Sequence, residues 1–237
     1  MSRMTRTTAS NWTGTALLAL LIVCVVPVAA WSQEQRGFAK VGGYAGGSLA
    51  PAFTLDGDTF DGFTLYREVN GDEIALLPKL DKQKMFRGIL GVRYERAALE
   101  LSYERTSHNG MFGEEEASEA TFQQVNVDTR VFFLTRGRIQ PYILAGVGFP
   151  WLNIKDSSFL LDEPDAGVGD STFKGYAVNT EVGVTVYPHP QVGIVLGYEY
   201  RPIWFDRATG ITDKPYELRP RFRESSRGFV FTTLFTF

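Results

Sequence analysis

The sequence predicts an all-β fold, an eight-stranded antiparallel up-and-down transmembrane β-barrel with four long extracellular loops and short periplasmic turns. Three observations predict it. Apolar and polar residues alternate over long segments, the connectors between segments run alternately long and short, and the chain closes on "RGFVFTTLFTF", Arg227 to Phe237. There Phe229, Phe231, Phe235 and Phe237 share one parity with Thr233, and a strand sends alternate side chains to opposite faces. Such a face requires a protein core or lipid against it.

Residues 1–30 read as a separate element. Arg3 and Arg6 precede the apolar run Leu17 to Val28, and Val28 and Ala30 occupy the small-residue cleavage positions of a secretory signal peptide. The run is shorter than the roughly 20 apolar residues a transmembrane helix needs. Cys24, the single cysteine, lies inside it behind Val23, where a lipidation site has Gly, Ala or Ser, so no lipoprotein anchor is expected. The mature domain, residues 31–237, then has no disulfide or thiol chemistry. With 44% hydrophobic and 14% aromatic residues in a chain of 237, it is large enough to form one domain without staples. Once Arg3 and Arg6 are removed from the 24 basic residues, 22 remain against 27 acidic ones. That net charge of −5 argues against nucleic acid as a partner, whose phosphates need a basic face.

Taken in order, strand patterns run from Gly37 to Leu49, Phe86 to Glu95, Ala97 to Thr106, Thr121 to Leu134, Ile139 to Phe149, Lys174 to Tyr187, Gln191 to Trp204 and Ser226 to Phe237. Each is about 10 to 14 residues, longer than a typical soluble strand and close to a tilted bilayer crossing. The first two carry Lys40, Arg87 and Arg93 on the inward parity. The third opposes Ala97, Leu99, Leu101 and Tyr103 to Glu100, Ser102 and Glu104, and the fourth opposes Val125, Val127, Thr129, Val131 and Phe133 to Gln124, Asn126, Asp128 and Arg130. The sixth sets Tyr176, Val178, Val182, Val184 and Val186 against Asn179, Glu181 and Thr185. The seventh sets Val192, Ile194, Leu196, Tyr198 and Tyr200 against Gly193, Gly197, Glu199 and Arg201. An apolar outside with a charged inside is the reverse of a soluble barrel.

The connectors fix the direction. Long ones span residues 50–85, 107–120, 150–173 and 205–225, and short ones fall near Ala97, at Thr135 to Arg138 and at Pro188 to Pro190. Hairpin turns on one rim and extended loops on the other belong to an outer-membrane barrel. Aromatic residues, which favour bilayer interfaces, then fall into two girdles. The periplasmic one is expected to hold Tyr94, Tyr142, Tyr187, Phe235 and Phe237, and the outer one Phe86, Tyr103, Phe149, Trp151, Tyr176, Tyr198, Tyr200 and Trp204.

The stretches "GVTVYPHPQVGIVLGYEY", Gly183 to Tyr200, and "PYILAGVGF", Pro141 to Phe149, resemble the small outer-membrane barrels typified by the OmpA transmembrane domain, porin-like in fold. The resemblance implies a Gram-negative outer membrane location reached through the signal peptide, handling by periplasmic chaperones and the barrel-assembly machinery, and a monomer without cofactor or metal. It also implies that Phe237 is the assembly signal, although Thr233 stands where a large apolar residue is common. No cell-wall-binding domain is expected after Phe237.

Within the lumen Lys40, Arg87, Arg93, Arg130 and Arg201 meet Glu95, Glu100, Glu104, Asp128, Glu181 and Glu199. An eight-stranded barrel is only wide enough for its own side chains, so a salt-bridged plug is expected, with a narrow ion path as the alternative. Of the two histidines, His189 sits in a turn, and His108 lies near Ser107 and Glu104, the components of a hydrolytic set that lacks the His-x-Ser order of barrel deacylases. "DGDTFDG", Asp56 to Gly62, imitates a calcium loop but puts Phe60 and Asp61 where Asp or Asn and then Gly belong. Arg219, Arg221 and Arg223 alternate at the outer rim and suit the phosphates of lipopolysaccharide. Pairing with the loop acids Glu114 to Glu116 or Asp162 to Asp165 is the other reading. The function expected is structural or surface-interacting and non-enzymatic, with a small channel as the first alternative and a lipocalin-like binder or a lipid A-modifying enzyme behind it.

Overall fold

The computed structural model describes residues 37–57, 60, 65–67, 74–112, 115–155, 170–209 and 216–237, without the side chains of 65–67, 74–76, 112, 115–117 and 216–220. The signal peptide expected over residues 1–30 with Cys24, the loop acids Glu114 and Asp162 to Asp165, and Asp58, Asp61 and Gly62 of the calcium-like stretch lie outside the described residues, as do the side chains of Glu115, Glu116 and Arg219.

Eight long strands cross: β1 (Gly42–Phe53), β6 (Gln83–Arg93), β7 (Ala97–Phe112), β8 (Glu115–Phe132), β9 (Ile139–Ile154), β10 (Ser171–His189), β11 (Val192–Thr209) and β12 (Tyr216–Thr236). Each pairs antiparallel with the next. The sheet closes where β1 meets β12, from Tyr44 opposite Thr236 to Leu49 opposite Phe231. Closure leaves no edge, so the backbone groups of the wall pair from strand to strand within the protein, as hydrocarbon requires. Four short strands belong to the first outer connector. β2 (Asp56–Gly57) pairs with β12, β3 (Leu65–Arg67) with β4 (Ile74–Leu76), and β5 (Lys79–Leu80) with β7.

The two parities become two walls. Leu99, Leu101, Val182, Ile194, Leu196, Phe229, Phe231 and Phe235 stand exposed on the outside, while Arg87, Glu100, Glu104, Arg130, Glu181 and Arg201 are buried within. An apolar surface of that extent is stable only against lipid.

Strand ends depart from the sequence reading. β7 to β12 run for 16 to 21 residues, because alternation and pairing continue beyond the membrane belt. Residues 107–120, expected as a loop, are mostly a hairpin that extends to Phe112 opposite Glu115. The first strand begins at Gly42 rather than Gly37. Gly42 has φ 149°, open to glycine alone, and a Cβ there would meet the Phe237 carbonyl at 2.8 Å. The chain before it runs across the periplasmic rim, with the Phe38 amide donating to the Thr135 carbonyl and the Lys40 amide to that of Pro190, each at 2.8 Å. Lys40 is therefore an exposed rim residue and not a lumen charge.

The girdles need a second correction. Tyr94, Phe235 and Phe237 are exposed at the periplasmic end as expected, but Tyr142 and Tyr187 are each 2% exposed and point inward. Tyr187 shares the parity of Glu181 and Thr185, so its direction is set by the strand and not by its distance from the interface.

Candidate functional site

The inward residues stack in layers, and the lowest is a latch at the periplasmic end. Arg93 of β6 lies with its guanidinium carbon 3.8 Å from the centre of the Phe132 ring and 5.1 Å from that of Tyr187. It donates to the Tyr187 hydroxyl and, at 2.5 Å, to Gln140 Oε1. Gln140 is held in turn by donating to the carbonyls of Thr135 and Gly137 at 2.9 and 3.0 Å. Arg93 thus bonds to neutral groups and aromatic faces and takes part in no ion pair among the described residues. Glu95 is buried at the same end, also without an ion pair.

Above the latch, strand alternation brings guanidinium and carboxylate groups together. Arg130 donates through Nε and Nη2 to the two oxygens of Glu100 at 2.7 and 3.2 Å, and its guanidinium carbon sits 4.2 Å from the centre of the Tyr142 ring. The Tyr142 hydroxyl donates to Glu181 Oε1, which lies 3.9 Å from Arg130 Nη2. One layer up, Arg87 donates to Glu104 Oε2 at 2.8 Å and to Glu199 Oε2 at 2.5 Å, with Glu181 Oε2 at 3.8 Å. Arg201 spans both oxygens of Glu104 and reaches Glu199 Oε1 at 2.7 Å. Three arginines and four glutamates on five strands form one continuous network, with every member buried. Bidentate guanidinium pairs of this kind offset much of the desolvation that burying charge entails.

Asp128, expected among these charges, sits instead in an amide ladder. Asn179 Nδ2 donates to Asp128 Oδ1 at 2.8 Å and to Asn126 Oδ1 at 2.9 Å. Gln124 donates to Asn126 and Asn179, and Asn126 donates to Ser102 Oγ at 3.1 Å.

The uppermost layer is apolar and is absent from the sequence reading. Met85, Phe122, Leu152, Phe173, Ile203, Phe205 and Phe222 fill the outer half of the interior, joined by Phe53 at the end of β1 and by Phe60, Leu77 and Leu80 from the first connector. Phe60 is edge-on to Phe173, Phe205 and Phe222 at ring-centre distances of 5.5, 5.9 and 6.2 Å. The signal was available by continuing the inward parity outward: Phe122 follows Gln124 and Asn126, and Ile203 and Phe205 follow Glu199 and Arg201.

The other sequence candidates are dispersed. His108 is inward and buried, its Nδ1 2.7 Å from the Asp81 carbonyl, whereas Ser107 points outward, so the two do not assemble as nucleophile and base. His189, the last residue of β10, is exposed beside the turn and accepts the Gln191 amide at 3.3 Å. Asp56 lies in β2, where its carbonyl accepts from Ser225 at 3.2 Å and its carboxylate is 3.8 Å from Arg227 Nε. No cluster of potential metal ligands occurs among the described residues. Arg221 and Arg223 are exposed at the outer end of β12, and Arg221 donates to the Tyr176 hydroxyl at 2.8 Å. The Phe237 amide donates to the Gly43 carbonyl at 2.9 Å, and its ring covers Gly43.

Solved structures share this architecture at low identity. Neisserial surface protein A matches with a TM-score of 0.52 and 15% identity over 83% of this chain and 97% of its own. Outer membrane protein AlkL, determined in lipid bilayers, gives 0.51 and 14% over 87% and 95%. OprG from Pseudomonas aeruginosa gives 0.50 and 11% over 84% and 97%. No curated protein sequence matches the chain. A family model described as the outer membrane protein beta-barrel domain matches residues 15–219, and the chain, with its closed antiparallel sheet and lipid-facing wall, belongs to that family.

Proposed function

We propose that this outer-membrane barrel is a non-enzymatic structural and surface-interaction protein whose lumen is plugged. The observation that carries the reading is the unbroken stack inside it, from the Arg93 latch through the network of Arg87, Arg130 and Arg201 to the apolar cap around Phe60. An ion entering would have to break bidentate pairs and then pass the packed rings of the cap, both costly. The role left to the molecule lies in its outer surface and the strands that project beyond the membrane belt. Arg221 and Arg223 present guanidinium groups to lipopolysaccharide phosphate, and Arg219, on the same strand, is proposed as a third contact. Phe237 serves recognition by the barrel-assembly machinery, and the chain acts as a monomer delivered by its signal peptide.

Planar-bilayer recording of the refolded protein tests the plug. The expected result is no steady conductance; a stable single-channel current in the unaltered protein replaces this reading with that of a small channel.

A further inference from the structure

The outer wall carries a trough that the fold does not require. Gly47 of β1 and Gly88 of β6 are opposite one another in register, and the same row continues to Tyr103 on one side and to Thr233 and Ile194 on the other. Both glycines face outward. A Cβ added at either meets no atom within 4 Å, and neither has a positive φ. The inward Gly46 and Gly91 differ, since a Cβ there would collide with Leu234 and Tyr44. Glycine within a strand costs about 0.5 to 1 kcal/mol against alanine, so packing and backbone geometry both favour a larger residue at Gly47 and Gly88. Phe86, Leu49 and Phe231, along the row above, wall a depression of about 640 Å³ floored by glycine, and Leu90, Ala45 and Phe235 stand along the row below it.

The trough has a direction and a charged end. Crossing four strand spacings of about 4.8 Å makes it roughly 19 Å long. It climbs from Ile194, beside the periplasmic start of β11, to Tyr103 and Arg105, well up β7. Strands tilted by about 35–45° incline the row by the same angle, so the trough rises by roughly 11–13 Å, with Gly47 and Gly88 at mid-strand near the centre of the hydrocarbon core and Tyr103 and Arg105 above them in the outer leaflet. At the upper end Tyr103 walls it and donates its hydroxyl to Gln123 at 2.6 Å. Arg105 lines the same end, Lys84 follows Phe86 outward on β6, and neither cation has an acidic partner among the described residues.

We infer that this trough is a lipid site that seats one acyl chain of outer-leaflet lipid A over Gly47 and Gly88, with a lipid A phosphate on Arg105 and Lys84. The inference rests on the membrane orientation of the barrel and is independent of the plug and of Arg221 and Arg223, which lie far up β12 from Phe231.

Native mass spectrometry of the full chain refolded into vesicles of neutral phosphatidylcholine with added lipid A tests it. The unaltered protein retains one lipid A after extraction. Gly88→Phe, which fills the floor, lowers retention at least tenfold, Arg105→Ala lowers it several-fold, and Val182→Phe elsewhere on the lipid face leaves it unchanged. Heat-modifiable gel mobility checks folding, and Gly47→Leu takes the place of Gly88→Phe if that variant does not fold. Equal retention by Gly88→Phe or Gly47→Leu and the parent, or equal retention of dephosphorylated lipid A, overturns the proposal. So does a lipid-free dimer of the parent that Gly88→Phe abolishes, since the trough then receives a second copy of the chain.

Discussion

Arg87 and Glu199 are 112 residues apart in sequence, yet within the barrel Nη2 of the one lies 2.5 Å from Oε2 of the other. Arg201, two positions beyond Glu199 on the same face of β11, holds the second oxygen of that carboxylate at 2.7 Å. One glutamate is thus clamped between guanidinium groups from β6 and β11, strands that are not neighbours in the sheet. The network ties opposite walls together across the lumen, which no backbone ladder does.

Removing one member of such a set leaves the others uncompensated. Arg130→Ala strands Glu100 and is expected to destabilise the barrel by about 3 to 5 kcal/mol, less what lumen water recovers. The double variant Arg130→Met, Glu100→Leu recovers most of the loss, because no buried charge remains unpaired. Urea titration in lipid vesicles reads both; equal loss in the single and double variants would show that the pair is not the source.

The proposed plug has two barriers in series, the ion pairs and the apolar cap. Arg87→Ala alone therefore stays non-conducting, and Phe60→Ala alone opens only the outer mouth. Combined, they give openings that neither single variant shows. Planar-bilayer recording of all three decides it, and steady current through Arg87→Ala alone would mean that the cap does not seal.

The two walls respond differently to substitution. Leu101→Arg puts a charge into hydrocarbon and is expected to cost about 2 to 4 kcal/mol near the midplane. Ser102→Ala, one residue along, only removes an acceptor from Asn126 and costs about 0.5 to 1.5 kcal/mol. Denaturant titrations that reverse this order would refute the register of β7.

At the closing strand, Phe237 contributes its amide to Gly43 and its ring to the seam between β1 and β12. Phe237→Ala is expected to slow assembly in cells several-fold, with a smaller effect on stability once folded. Pulse-chase of outer-membrane insertion measures the first and vesicle unfolding the second. Insertion at the parental rate would remove the role given to Phe237.

The sequence by itself determined the number of crossings, their direction and the identity of the two walls, because side-chain alternation is a property of each strand alone. Glu100 and Leu101 face opposite ways whatever surrounds them. The same rule carried past the belt points Phe122, Ile203 and Phe205 inward, and applied to Tyr187 it overrides the pull of the interface. Tyr142 was harder to read, since both parities of Ile139 to Phe149 are largely apolar. Pairing, by contrast, was settled only by tertiary structure. That Arg201 meets Glu104, that Arg93 rests between Phe132 and Tyr187, that Phe60 folds back among Phe173, Phe205 and Phe222, and that Gly47 lands beside Gly88 all depend on the stagger of one strand against the next. Stagger accumulates around the whole sheet and is fixed where β1 meets β12, so no local segment encodes it.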